Sequence, residues 1–298
     1  MATEAKKSKK LVFSTGAKGG VGKSTLAVLA IEALRETGQS VACIEGDEHS
    51  PTLVRRYADS DVSVAEVDLA GLVDRSGSVA FADALRALDS EWIIVNTPAS
   101  GVRPFENDPE ILAAFKQEYD LRAAWSLSVN ADRTVADSED DGILTSLDSG
   151  MLSAMTKGRV TAVKQPFQLA YRGQRCWHDD PRFTEWLKIG GVRVISIEKA
   201  HPQLVELIQR DSRLIPQTVA DLNGSDPIVG ASLQLFWHNA KEAMADSILA
   251  EATVNLSDGL KSTRGKLFGA VELAPDAQAS GGPEFDSAEE NAGEEGGR

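Results

Sequence analysis

The sequence predicts an α/β chain built on a doubly wound, mostly parallel sheet with helices on both faces. Three observations predict it. Short apolar runs alternate with segments of helical spacing over most of the chain. Several of the runs are continuously apolar, as strands buried on both faces require. A glycine-rich stretch separates the first run from the first long helix, where a strand-to-helix turn belongs.

The elements follow in order. Residues 11–15 form a short apolar strand after a lysine-rich start. Residues 23–37 carry Leu26, Leu29, Ala30, Ala33 and Leu34 at helical spacing, and Gly38 is a suitable stop. Residues 41–45 form a second strand. Residues 78–88 form a helix with Val79, Leu85 and Leu88 on one side. Residues 92–96 form a strand that is apolar up to Asn96. Residues 109–119 read as a helix and 122–129 as a strand. Strands at 159–164 and 192–197, a helix at 202–209 and a long amphipathic helix at 231–253 complete the pattern.

Composition and patterning divide the chain into a basic extension (1–10), one α/β domain (11–255) and an acidic tail (256–298). The net charge is -14, and residues 271–298 hold eight Asp/Glu against one Arg. With almost no large apolar residues, that tail is expected to be disordered. Residues 157–213 run the other way, with eleven Lys/Arg against six Asp/Glu. The plainer reading is a solvated surface; regional charge leaves nucleic-acid binding open. Residues 165–188 mix Tyr171, Trp177, Phe183 and Trp186 with Arg172 and Arg175. They suit an insertion anchored to the core or a surface that stacks on nucleic acid. No apolar run is long enough to span a bilayer, and no secretory leader is visible at the start. Cys43 and Cys176 are unclustered, so a reducing cytoplasm is the expected compartment.

The informative stretch is Gly16-Ala17-Lys18-Gly19-Gly20-Val21-Gly22-Lys23-Ser24-Thr25. Glycines let successive backbone N–H groups converge on anionic oxygens, and a helix N-terminus adds positive potential. Lys23 can reach β- and γ-phosphates, the Ser24 hydroxyl can ligate Mg²⁺, and Thr25 can contact the α-phosphate. The strict G-x-x-x-x-G-K-[ST] pattern fails at Ala17, but K-G-G-x-G-K-[ST] matches. At residue frequencies of roughly 6%, six fixed positions recur by chance in on the order of one chain in a hundred thousand.

On these residues the chain resembles the deviant Walker A P-loop ATPases: ParA-type partition proteins, MinD and nitrogenase iron protein. The resemblance implies ATP and Mg²⁺ as cofactors and a homodimer closed across two nucleotides. It makes Gly19, Gly20, Val21, Gly22, Lys23, Ser24 and Thr25 the nucleotide cradle. It has Lys18 reach across to the partner's phosphates, a charge supplied in trans. Asp47, in Glu45-Gly46-Asp47-Glu48-His49, matches the family's second aspartate, which positions the attacking water. A capping Asp in a strand-to-helix turn is the other reading of Asp47. Glu45 replaces the family's first aspartate. In Trp92-Ile93-Ile94-Val95-Asn96-Thr97-Pro98, Asn96 replaces the Walker B aspartate, so metal would be held by Ser24 and Asn96. An amide lacks the carboxylate's charge, so weaker metal retention and slow turnover are expected. Gln165 is a candidate contact to the base, and 215–228 looks like the family's final loop before its last helix.

Two functions follow from the resemblance. One is a slow ATPase that switches between monomer and dimer to position DNA or a plasmid-transfer or partition complex, as in TraL- or MobD-like proteins. The other is a regulatory nucleotide-binding protein with a weakened Mg²⁺ site. Membrane insertion is not expected: residues 260–268 are basic and partly apolar but short, and the acidic tail would be repelled by anionic lipid.

Overall fold

The computed structural model describes residues 9–16, 19–69, 75–98, 105, 109–127, 143–155, 158–164, 192–197 and 200–252. Expectations for Lys18, Gln165, 165–188, Cys176 and the tail lie outside those residues.

Among the described residues seven strands form one sheet: β1 (Lys9–Thr15), β2 (Val41–Glu45), β3 (Ser63–Glu66), β4 (Trp92–Asn96), β5 (Tyr119–Ser126), β6 (Val160–Lys164) and β7 (Val192–Ser196). Their order is β3-β2-β4-β1-β5-β6-β7, and every pairing is parallel. The fold class read from the sequence is therefore the one observed. Alternate side chains feed two cores. Leu11, Phe13, Ile93 and Val95 point to one face. Val12, Cys43, Trp92 and Ile94 point to the other.

On the second face lie α1 (Lys23–Glu36), α2 (Thr52–Tyr57), α6 (Pro202–Arg210), α7 (Ile215–Ser225) and α8 (Pro227–Ala245). On the first lie α3 (Arg75–Ala87), α4 (Pro109–Phe115) and α5 (Ile143–Asp148), with a 3₁₀ turn at Met151–Ala154. Phe81 sits 5.5 Å from Phe105 and 5.8 Å from Phe115, ring centre to ring centre, in edge-on contacts. On the opposite face α8 grips α1: Trp237 Nε1 and Lys241 Nζ donate to the Glu36 carboxylate at 2.9 and 2.6 Å.

Several bounds differ from expectation, each for a visible reason. β1 begins at Lys9 because its lysines are accommodated: Lys9 Nζ donates to Leu88 O at 3.0 Å. Lys10 Nζ donates to Glu91 Oε1 at 2.6 Å and lies over the Trp92 ring. α4 stops at Phe115, and Tyr119 opens β5 instead of ending the helix; it pairs with Lys9. β5 ends at Ser126, earlier than expected. α3 starts at Arg75 and turns Phe81, Leu85 and the following Leu88 inward, leaving Val79 58% exposed. α8 starts at Pro227 and stops at Ala245, not at Thr253. Arg122 draws the chain back by donating to Ile248 O and Ala250 O, and it also pairs with Glu251 and Asp120.

The expected loop at 215–228 is mostly α7. Its Pro216 sits in the first turn, where no intrahelical N–H is needed. Helices α2 and α5 and strand β3 were not foreseen.

Candidate functional site

The site lies at the C-terminal ends of β1, β2 and β4. Ser14 Oγ donates to Lys23 O at 2.8 Å, tying the first turn of α1 to β1. Thr97 N–H donates to Ser14 O at 3.1 Å and Thr97 Oγ1 reaches Thr15 Oγ1 at 3.1 Å, tying β4's end to the same strand. The loop between bends through Gly20 (φ 72°) and Gly22 (φ 91°), both in the left-handed region that glycine tolerates best. Gly22 is the N-cap of α1, and no side chain caps that helix end. Its first-turn N–H groups therefore face the loop's concavity, the arrangement that receives anions.

Lys23 is 7% exposed. Burial lowers its ammonium to about 8, with Asp47 nearby pulling in the opposite direction. Lys23 and Asp47 thus face the same space, although they come from different strands' ends. Asp47 Oδ1 accepts from the N–H groups of His49 and Ser50, at 3.2 and 3.1 Å, which is the capping arrangement. Thr25 is buried, and its hydroxyl accepts from Gln209 Nε2 at 2.8 Å. Gln209 comes from α6, and it also lines a cavity of about 370 Å³ with Ser50, Thr52, Arg55 and Arg210.

Asn96 joins the loop to β2. Its Nδ2 donates to Ser24 Oγ at 3.2 Å and to Glu45 Oε1 at 2.8 Å. Glu45 also accepts from Asp47 N–H at 3.0 Å and from Leu53 N–H at 2.8 Å. Burial raises its carboxyl above the usual range, and these three hydrogen bonds oppose that rise. Asn96 Oδ1 is buried with no hydrogen-bond partner among the described residues. A buried oxygen acceptor left open on the side chain that donates to the Ser24 hydroxyl fits a hydrated hard cation such as Mg²⁺. Among the described residues no group of three or more His, Cys, Asp or Glu could hold a metal ion. The oxygen set fits an ion that takes most of its ligands from phosphates and water.

Gly46 is confined on both sides. A Cβ there would stand 2.4 Å from Leu69 Cδ1 and 2.6 Å from the backbone oxygen of Asn96. Gly46→Ala should cost about 1–3 kcal/mol in denaturant unfolding, because the β4 end cannot move aside cheaply. An unchanged unfolding midpoint would contradict this packing.

Of the sequence-derived site residues, Gly19, Gly20, Val21, Gly22, Lys23, Ser24, Thr25, Asp47 and Asn96 converge here. Two participants were missed as such: Glu45 as a hydrogen-bonding hub and Gln209 as the partner of Thr25. The first depends on strand register and the second on a contact 184 residues apart.

No family model matches the chain. Protein MobD of Acidithiobacillus ferrooxidans is 29% identical over 91 residues, 30% of this chain and 38% of that protein. The chain thus matches well under half the length of that curated relative. The MinD cell division protein of Aquifex aeolicus is 17% identical, covering 80% of this chain and 98% of that one, at a TM-score of 0.45. A plasmid partition protein of Borrelia burgdorferi, bound to AMPPNP, is 13% identical, covering 77% and 98%, also at 0.45. At these TM-scores the two structural likenesses carry no argument about function. No helix among the described residues is long and apolar enough to cross a membrane. Sheet order, loop placement and motif residues together make this an α/β fold of the P-loop NTPase kind, resembling the divergent ParA/MinD branch.

Proposed function

We propose that the chain is an ATP-binding switch of the ParA/MinD type, cytoplasmic, that dimerises across bound nucleotide and hydrolyses it slowly. The observation that carries this reading is the cradle: left-handed Gly20 and Gly22 lead into an uncapped helix end with Lys23 buried beside it. Lys23 and the loop N–H groups hold the phosphates; Ser24 and Asn96 hold Mg²⁺, which supplies charge neutralisation there. Asp47 orients water, and Lys18 reaches the partner's nucleotide. The cargo class is DNA or a plasmid-transfer or partition assembly; the partial likeness to MobD supports that branch.

Size-exclusion chromatography with light scattering tests the switch. Wild type should shift from monomer to dimer with ATP and Mg²⁺. Lys18→Ala should bind ATP but remain monomeric. A Lys18→Ala chain that dimerises normally sinks the cross-subunit lysine.

A second reading keeps nucleotide binding with little hydrolysis, through a magnesium site weakened by Asn96. Its supporting observation is that Asp47 Oδ1 already serves two backbone N–H groups. Steady-state phosphate release separates the two readings. Under the first, turnover is measurable and Asp47→Ala removes it; under the second, wild type and variant are equally silent.

A further inference from the structure

Glu45 and Asn96 are register partners on neighbouring parallel strands, at the ends that face the phosphate loop. Glu45 is 2% exposed and Asn96 fully buried. Asn96 Nδ2 bridges the two sides, donating to Glu45 Oε1 at 2.8 Å and to Ser24 Oγ at 3.2 Å. The amide orientation follows from its partners. Turned over, Asn96 would set its oxygen against the Glu45 carboxylate and lose a charge-assisted hydrogen bond. The orientation that satisfies Glu45 leaves Asn96 Oδ1 buried, acceptor-only and without a partner among the described residues.

Charge decides why position 96 carries an amide. A carboxylate there would place a second anion 2.8 Å from Glu45 Oε1, both out of water. Like charges that close oppose each other strongly. The pair therefore keeps one negative charge, on the β2 side. Glu45 is also fixed in place. The backbone N–H groups of Asp47 and Leu53 hold both of its oxygens, so little reorganisation accompanies the arrival of a cation.

We infer that in this chain the carboxylate serving the magnesium site has moved from β4 to β2: Glu45 supplies the charge, and Asn96 is a positioning residue whose amide N–H groups tie Glu45 to Ser24 and whose Oδ1 is left as an acceptor. This rests on the nucleotide-binding reading above and deepens it. The charge is then displaced by one strand and not removed. The same carboxylate also holds the loop that carries Asp47, so metal site and water-positioning loop share one anchor.

The test is calorimetric titration of ATP into the full-length chain, once in EDTA and once in excess Mg²⁺, paired with thermal unfolding. It uses wild type, Glu45→Gln, Asn96→Asp and the double variant. Wild type should bind ATP more tightly with Mg²⁺. Glu45→Gln should bind as wild type does in EDTA, yet lose about tenfold to a hundredfold of the tightening that Mg²⁺ brings. Asn96→Asp should melt several degrees lower, because two buried carboxylates then face each other. The double variant should recover both the melting temperature and the Mg²⁺ effect, since the amide at 45 can donate to the carboxylate at 96.

Full Mg²⁺ tightening in Glu45→Gln overturns the inference and leaves Glu45 a purely structural cap. So does a double variant no better than Asn96→Asp alone; that comparison still decides if Glu45→Gln fails to fold. Wild type that takes up no ATP in either buffer overturns the nucleotide-binding reading itself, a separate result.

Discussion

Lys23→Ala should abolish ATP binding measurable by calorimetry, a loss of about a hundredfold or more, while leaving the fold intact. The magnitude follows from removing two or more charge-assisted hydrogen bonds, each worth about 1.5–3 kcal/mol, at about 1.4 kcal/mol per tenfold. Burial makes the loss large. An ammonium shielded from water attracts phosphate oxygens more strongly than an exposed one. It is also held down to about 8 by that burial, so an arriving polyanion favours its charged form. The fold should survive because the link from β1 to this residue uses the Lys23 carbonyl, which alanine keeps. Near-native melting combined with near-native affinity would remove Lys23 from the site.

The largest effect on stability should come from Arg56→Met, about 3–5 kcal/mol in denaturant unfolding. Arg56 is 1% exposed on α2. It donates to Ile208 O at the end of α6 and to Arg213 O beyond it, and it lies 3.4 Å from Glu32 Oε1 on α1. Glu32 is itself fully buried, held also by Arg35 at 2.9 Å and by the Tyr57 hydroxyl at 3.0 Å. Burial and the Glu32 charge hold that hydroxyl well above its usual range, so it stays a donor. Methionine at 56 fills space but strands two carbonyls and removes a cation from a buried anion. The contrast is Arg86→Ala. Its partner Asp83 and Arg86 itself are mostly exposed, and the change should fall within about 0.5 kcal/mol. Equal costs for the two substitutions would mean that the buried network contributes nothing.

The contrast between these two arginines shows what a sequence reveals. β2 and β4 are read to the residue because buried parallel strands are written as unbroken apolar runs. α1 is legible from spacing and from Gly38, whose φ of 71° ends it. β3 is not, because Ser63, Val64, Ala65 and Glu66 form a half-exposed edge with no run to see. α2 hides because its six residues include two arginines, and nothing local says that Arg56 is buried. The phosphate loop is legible because its chemistry fixes consecutive residue types. Glu45 is readable as a substitution but not as a hub, since its partners come from register with β4 and from the start of α2. Thr25 likewise meets Gln209 through tertiary packing alone.

Among the described residues strands β3 and β7 bound the sheet, with four and five residues. Each carries an exposed charged side chain, Glu66 on one and Arg193 on the other. Short borders marked by charge are poor templates for a further strand, and they discourage edge-to-edge growth into fibres. The proposed pairing of two copies across bound nucleotide would leave these borders outside the interface.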